Sequence, residues 1–291
     1  MSLVLQGIVT GILTGGVYAL MAAGLTLVFG VMDIINIAQG AFVILGAYLS
    51  YWLAIHLHID LFLGLFITIP VMFVLGVILE WLLIRPLKRD RTQLSILVTY
   101  ALAIIIEGLL YFFFSADNVK LFAWYTSASV QVGPFFLPLI YLMAFGLSVV
   151  LLAALYVLLY QTKFGRSVRA TTQNRAAALL IGIDVERVAA LTFGVGVALT
   201  AAGGMAYGAT TPFTPNSHYD LISRLLVIII FAGMGSLGGA LIASVGMLVI
   251  ENVTSLLWSP VWASTVFYVL LVIILLVRPQ GLFGKFATRN Q

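Results

Sequence analysis

Long apolar runs separated by short polar stretches dominate the pattern of this 291-residue chain. Most of the runs approach the roughly 20 residues that an α-helix needs to cross the hydrocarbon core of a bilayer. The nine runs cover residues 3–29, 38–55, 61–84, 94–114, 135–160, 188–209, 221–232, 241–253 and 261–277. The pattern predicts an all-α polytopic membrane protein, a single transmembrane domain over 1–291, with about eight or nine transmembrane helices.

Composition supports this class. The chain is 63% hydrophobic and 8% charged, whereas about a quarter of the residues in soluble domains are charged. The absence of cysteine excludes disulfides, thiolate metal ligands and cysteine nucleophiles. The first residues lack a charged region and a cleavage site of the signal-peptide type, so we expect them to begin the first span.

The distribution of Lys and Arg predicts the orientation. Twelve of the 14 basic residues fall in three segments, 85–91, 163–187 and 278–289. Because basic loops face the cytoplasm, we expect the amino terminus outside and the carboxyl terminus in the cytoplasm. Basic residues placed between membrane spans are not the footprint of a nucleic-acid partner; their expected partners are lipid headgroups.

The longest polar interruption, 163–187, contains a helical pattern. We expect a short helix that begins after the candidate caps Thr171 and Thr172 and ends at Gly182. The apolar positions that share one face of it are Ala177, Leu180 and Ile181. Such a helix fits the groove of a partner protein or lies on the bilayer surface, and composition alone leaves both interpretations open.

Two segments interrupt the regular pattern of spans. In F-G-V-M-D-I-I-N-I-A-Q-G (29–40) the polar residues Asp33, Asn36 and Gln39 recur every three positions, so a helical turn would place them near one face. Polar groups at membrane depth usually face a cavity or the interior of a bundle. The segment is therefore interpreted either as a broken helix that lines a translocation path or as a tight cytoplasmic turn with capping side chains.

The second interruption is G-M-G-S-L-G-G-A (233–240). Glycine inside a helix destabilises it by roughly 0.5–1 kcal/mol relative to alanine, and this segment has four glycines. A re-entrant turn or a close helix crossing is favoured over a straight span, with Gly235 and Ser236 as candidates for lining a path. The alternative is packing of small residues without a functional role.

Glu107 is the ionisable residue in the middle of a span. It could carry a proton, bind a substrate amine or make a hydrogen bond between helices, and the hydrogen bond is favoured. Glu80 and Glu251 lie nearer the ends of runs and are expected at the interface. The histidines, on predicted outer loops without the spacing of metal ligands, are expected to be solvated. They are His56, His58 and His218.

Enzymatic motifs are absent from the sequence. It has no G-x-x-x-x-G-K-[ST], H-E-x-x-H or G-x-S-x-G motif. Catalysis or ATP binding through these motifs is therefore excluded for this chain. We predict no metal centre and no enzymatic activity. A self-sufficient proton-coupled transporter or channel, with Asp33 and Glu107 titrating, remains an alternative.

Four segments together, in this order, resemble the membrane-spanning permease subunits of branched-chain amino acid ABC importers, and most closely the shorter of the two permease types. They are the segments 29–40 and 233–240 quoted above, A-A-L-L-I-G-I-D (177–184) and R-P-Q-G-L-F-G (278–284). Permeases for urea, other amino acids and sugars share parts of the pattern. An ABC permease for urea or another small polar solute is therefore the alternative within this class.

The resemblance implies alternating access and a cytoplasmic coupling loop, 161–187, that docks into an ATPase subunit. The coupling residues would be Arg175, Ala177, Ala178, Leu180, Ile181 and Gly182. The candidates for the translocation path are Asp33, Asn36, Gln39, Gly40, Glu107, Gly235 and Ser236. Two positions depart from the pattern: Ala176 replaces a Glu common in ABC importers, and Gln39 replaces a His found in many family members.

The resemblance also implies an assembly. The partners would be a second permease subunit that completes a heterodimer, two ATP-binding subunits and an external substrate-binding protein. ATP and magnesium would be bound by the ATP-binding subunits, and this chain would hold no cofactor. The location implied is the bacterial cytoplasmic (inner) membrane.

Overall fold

The computed structural model describes residues 2–87, 91–132 and 135–284, and most of these residues are helical. In chain order the helices are α1 (Ser2–Met32), α2 (Gln39–His56), α3 (Leu61–Leu79), α4 (Arg91–Phe114), α5 (Leu139–Gln161), α6 (Lys163–Gln173), α7 (Arg175–Leu180), α8 (Val185–Thr210), α9 (His218–Ala232), α10 (Leu237–Leu257) and α11 (Pro260–Val277). A π-helical turn, Glu80–Ile84, extends α3. The elements confirm the all-α polytopic fold.

Seven helices of the described ranges are long and apolar enough to cross a membrane, namely α1, α3 with its π-helical turn, α4, α5, α8, α10 and α11. The other two apolar runs form α2 and α9. With 15 residues, α9 is about 22 Å long, which is less than the roughly 30 Å of the hydrocarbon core. The expected number of eight or nine spans is therefore approximate, because α2, with 18 residues, and α9 are not among these seven.

Glycines allow the neighbours of α1 to approach its backbone. Gly11 and Gly15, one helical turn apart, face α10, where an added Cβ would overlap backbone atoms. On another side, Gly24 lies against Gly196 of α8. Small residues four apart permit this close packing between membrane helices. The result places α1 and α8, the two most deeply buried spans, at the centre of the bundle.

The two ends of the bundle differ. One end, termed the basic end, carries α6, α7 and the turn after α3, where Arg85 forms a 2.5 Å ion pair with Glu186. The opposite end, termed the far end, carries the loops 57–60 and 115–128 and the antiparallel hairpin of β1 (Ser129–Val132) and β2 (Phe135–Pro138). The predicted basic segments share the basic end as far as they are described. Lys88, Arg89, Lys285 and Arg289 lie outside the described residues.

Both of these helices, α2 and α9, begin inside the bundle. The first residue of α2, Gln39, contacts Gly196 and Thr200, near the middle of α8. The first residue of α9, His218, lies beside Gly40, where an added Cβ would overlap the His218 carbonyl oxygen. The chain therefore enters α2 and α9 at the same depth, and the two helix starts meet in the interior.

Candidate translocation path and coupling surface

The break between α1 and α2 covers residues 33–38. α1 ends at Met32, and Asp33 adopts a left-handed conformation with φ +54°, which turns the chain out of the helix. Thr99 of α4 holds the irregular backbone by accepting a hydrogen bond from the Ile37 amide at 3.1 Å. The chain is therefore broken within the bundle, as the first interpretation of this segment required.

A buried polar network closes the interior at this break. The Asn36 side-chain amide donates to the Gln39 Oε1 at 2.9 Å, and the Gln39 amide donates to the Thr200 hydroxyl. Thr200 donates in turn to the Gly196 carbonyl at 2.8 Å. Asn36, Gln39 and Thr200 are fully buried. Since buried polar groups are costly unless hydrogen-bonded, this network links α2 to α8.

The structure does not place the three polar residues on one face. Asp33 is exposed, whereas Asn36 and Gln39 are buried. A helical spacing does not apply here, because residues 33–36 are irregular and only Gln39 begins a helix. Gly40 has no side chain and therefore lets the starts of α2 and α9 pack closely together.

The second glycine-rich segment forms the turn between α9 and α10 and not a straight span. Gly233 and Gly235 have φ of +100° and +84°, which favours glycine. The R-P-Q-G-L-F-G segment lies against this turn, because the amides of Leu282 and Phe283 donate to the carbonyls of Phe231 and Ala232 at 2.9 and 2.8 Å. Two motifs separated by about 40 residues thus form one unit.

A cavity of about 760 Å³ opens at the basic end. Its wall combines the end of α1 with the α9–α10 turn and the α6–α7 junction, and includes Asp33, Arg175, Gly235 and Ser236. Three of the seven path candidates therefore share this cavity. The buried network around Gln39 lies deeper in the bundle.

Glu107 joins α4 to the start of α9. Its Oε2 accepts a 3.1 Å hydrogen bond from the Tyr219 hydroxyl and lies 3.9 Å from Nε2 of His218. The hydrogen bond between helices agrees with the favoured interpretation. The prediction of a solvated His218 is wrong, because the residue is 1% exposed at a helix start inside the bundle. His56 and His58 are exposed, as expected.

The coupling loop contains two helices and not one. The predicted caps Thr171 and Thr172 lie inside α6 and donate to the carbonyls of Ser167 and Val168. Asn174 caps α7 instead, accepting from the Ala177 amide at 3.0 Å. A helix does end before Gly182, whose φ is +83°.

α7 presents an apolar surface to solvent at the basic end. Leu180 and Ile181 are 89% and 74% exposed, and Leu179 is also exposed. Ala177 and Arg175 are exposed as well. Ala178 is different, because it is 2% exposed and packs beneath the helix, so it cannot contact a partner directly. Adjacent exposed apolar side chains of this kind mark interaction sites.

Arg224 is a residue that the sequence analysis did not single out. It lies in α9 and forms a 2.5 Å ion pair with Glu251 of α10 and a 2.8 Å ion pair with Asp220. Glu251 therefore pairs between helices and is not simply interfacial. An arginine within an apolar run, four residues after an aspartate, was the available signal. Glu80, also expected at the interface, is buried and lies 3.9 Å from Arg91.

The bundle of membrane-length helices, the break between α1 and α2 and the cavity at one end are typical of a multi-span membrane permease. A family model described as the branched-chain amino acid transport system permease component matches residues 7–275. The chain belongs to this family, which confirms the resemblance carried by the four motifs. The family consists of transporters and not enzymes, and its members are multi-span proteins of the inner membrane.

Individual relatives align over nearly the whole chain. The high-affinity branched-chain amino acid transport system permease protein LivH of Salmonella typhimurium is 27% identical over 97% of this chain and 96% of LivH. BraD of Pseudomonas aeruginosa, which has the same description, is 24% identical with the same coverage. A probable LivH of Methanocaldococcus jannaschii is 27% identical over 97% of this chain and 92% of its own length.

Proposed function

We propose that this chain is the permease subunit of an ATP-driven importer and forms the translocation path for branched-chain amino acids. The observation that carries the proposal is the exposed apolar surface of α7 at the basic end, where Leu180 is 89% exposed. A permease with no ATP-binding motif needs such a surface to receive the motion of a separate ATPase. Full-length similarity to LivH and BraD supports the cargo.

The proposed assembly pairs this chain with a second permease subunit in a heterodimer. Two ATP-binding subunits dock on the basic end and hold ATP and magnesium. An external substrate-binding protein delivers the amino acid at the far end. This arrangement places the amino terminus of the chain outside and the carboxyl terminus in the cytoplasm, in agreement with the positions of Lys and Arg.

The proposed mechanism is alternating access. ATP binding closes the ATPase dimer, α7 transmits the movement, and the bundle opens to the outside to receive the amino acid. Hydrolysis resets it toward the cytoplasm. The cavity of about 760 Å³ at the basic end would be the cytoplasmic part of the path. The buried contacts of Asn36 and Gln39 would be the barrier beyond it.

Co-purification with the products of adjacent genes, followed by ATPase and uptake assays, tests the proposal. The complex is reconstituted in nanodiscs for the ATPase assay and in vesicles for uptake. We expect leucine-loaded binding protein to stimulate hydrolysis and uptake, whereas binding protein without leucine gives the basal rate. A loaded binding protein specific for urea or another solute that stimulates in place of leucine would contradict the cargo.

A chain that purifies alone and transports under a pH gradient would contradict the whole proposal. Asp33 and Glu107, the residues named for the proton-coupled alternative, would then be the first residues to substitute.

A further inference from the structure

A second cavity, of about 370 Å³, lies between α1, α8, α9, α10 and α11 toward the far end. Small-molecule sites have volumes of roughly 300–1,000 Å³. Its charged lining residues are Asp220, Arg224 and Glu251. Thr211 and Pro260, at the far-end termini of α8 and α11, are exposed and also line it, so the cavity opens toward the far end.

Contacts to three side chains fix the Arg224 guanidinium but do not use all of its N–H groups. Its Nε donates to Asp220 Oδ2 at 2.8 Å, its Nη1 donates to Glu251 Oε1 at 2.5 Å, and its Nη2 is 3.5 Å from the Ser264 hydroxyl. These contacts use three of the five N–H groups of a guanidinium. The other two have no partner in the described part of the chain. The cavity wall therefore offers hydrogen-bond donors that suit a carboxylate.

Glu251 offers the opposite charge. Its Oε2 is buried and has no hydrogen-bond partner in the described ranges. Two carboxylates face one guanidinium, so the three side chains carry a net charge of −1. Glu251 is 13% exposed and Asp220 is 57% exposed, so water can solvate Asp220 but reaches Glu251 poorly. A cationic group in the cavity beside Glu251 would balance the charge.

The position of the charges in the membrane makes a ligand role the better explanation. Glu251 is six residues from the end of α10 at Leu257, which places it about 9 Å inside the helix end. Ionisable side chains at such depth are expensive and mark substrate paths. Arg224 and Glu251 both line the cavity, so their charges are available to a ligand there.

We propose that this cavity binds the zwitterionic head group of an α-amino acid as it enters the permease. Arg224 receives the carboxylate, Glu251 receives the ammonium group, and Asp220 is a positioning residue for Arg224. The proposal rests on the proposed function, because it takes an amino acid as the cargo. The buried apolar wall is small and consists mainly of Tyr18, Leu248 and Ala263, so the site discriminates weakly among side chains.

Ligand-detected saturation-transfer NMR on the full complex in nanodiscs tests the proposal, because it registers binding as weak as millimolar. The probes are L-leucine, 4-methylpentanoate, which lacks the ammonium group, and leucinamide, which lacks the carboxylate. The unmodified complex should bind leucine more tightly than either analogue. This ranking tests the site without any variant, and the absence of leucine binding would overturn the proposal.

Two variants then assign the two charges. Arg224→Gln should weaken leucine about 10- to 100-fold, as expected for a charged hydrogen bond, and remove the preference for leucine over leucinamide. Glu251→Gln should remove the preference for leucine over 4-methylpentanoate and leave 4-methylpentanoate unaffected or more tightly bound. Arg224→Lys, which keeps the charge, should retain part of the affinity for leucine. It replaces Arg224→Gln as the test variant if the Arg224→Gln complex does not assemble.

Lys120→Gln, in the far-end loop 115–128, is the control, because it removes a charge from a residue that does not line this cavity. It should leave all three affinities unchanged. If both cavity variants bind all three ligands more weakly by the same factor, the ion pairs only hold α9 and α10 together, and the proposal is overturned. ATP-driven leucine uptake by the unmodified complex without leucine binding at the cavity would defeat this site alone. Failure of that uptake would defeat the proposed function itself.

Discussion

Gln39 shows how one buried residue determines the geometry of a broken helix. Its amide accepts from Asn36 and donates to Thr200, so a single side chain joins the break after α1 to the middle of α8. A glutamine amide can donate and accept at once, which a buried link between two polar neighbours requires.

We expect Gln39→Leu to destabilise the protein by about 1–3 kcal/mol, because it leaves the Asn36 amide buried without its acceptor. The measurement is the thermal unfolding midpoint of the purified chain in detergent. Gln161→Leu is the control, since Gln161 is exposed at the end of α5 and a surface change there should stay within about 0.5 kcal/mol. Equal midpoints for the two variants would contradict the role of the network.

Individual residue environments were the part that the sequence predicted least well. Glu107 was recognisable, because a carboxylate in the middle of an apolar run has few explanations. His218 was placed in a solvated loop, since nothing local indicates that α9 begins inside the bundle. Arg224 went unnoticed because its partner Glu251 is 27 positions away. Such pairings depend on tertiary packing, which a single sequence does not reveal.

At the scale of elements, apolar length predicted the helices well and their connections less well. The runs at 38–55 and 221–232 correspond closely to α2 and α9. The coupling loop differed, because the expected short helix begins after the extended Asn174 as α7, and residues 163–173, which were not expected to be helical, form α6. The sequence contained that signal, since asparagine is among the strongest helix caps, but the adjacent threonines competed with it.

The surface of α7 makes a specific prediction about the docking of the ATPase. Leu180→Asp should weaken binding of the ATP-binding subunit by at least 10-fold, because burial of a leucine contributes about 1.5–3 kcal/mol and an aspartate would be buried in its place. Leu180→Met, which keeps an apolar side chain of similar size, is the control and should bind normally. The measurement is the amount of ATP-binding subunit retained in a pull-down.

Ala178→Asp provides the contrast, because Ala178 is buried. A charge there would disrupt the packing of α7, so the variant should lower thermal stability as well as binding. Leu180→Asp should not lower stability. Undiminished retention of the ATP-binding subunit by Leu180→Asp would show that α7 is not the docking element.

At the scale of the molecule, the four motifs that carried the family resemblance lie at the basic end. Residues of the break at 29–40, the α9–α10 turn and R-P-Q-G-L-F-G line the cavity there, and residues 171–175, just before the motif at 177–184, line it as well. The charged cavity around Arg224 lies toward the opposite end and contains none of them. The motifs therefore mark the end at which we propose that the ATPase docks, whereas the proposed amino-acid site depends on residues outside them.

We propose that the basic end faces the cytoplasm, and this orientation can be measured directly, because the chain has no cysteine. Single cysteines at two exposed positions, Asn118→Cys at the far end and Gln173→Cys at the basic end, report the two sides. With intact cells and a membrane-impermeant maleimide, we expect rapid labelling of Asn118→Cys and labelling of Gln173→Cys only after permeabilisation. The unmodified chain is the control for background.

The reverse labelling pattern would place α7 outside the cell, where no ATPase could reach it. The basic loops would then face the wrong side for the positive-inside rule. The expected pattern would place the opening of the Arg224 cavity outside, where an amino acid is delivered. It would place the Asp33 cavity in the cytoplasm, with the buried Gln39 network between them as the barrier that transport must open.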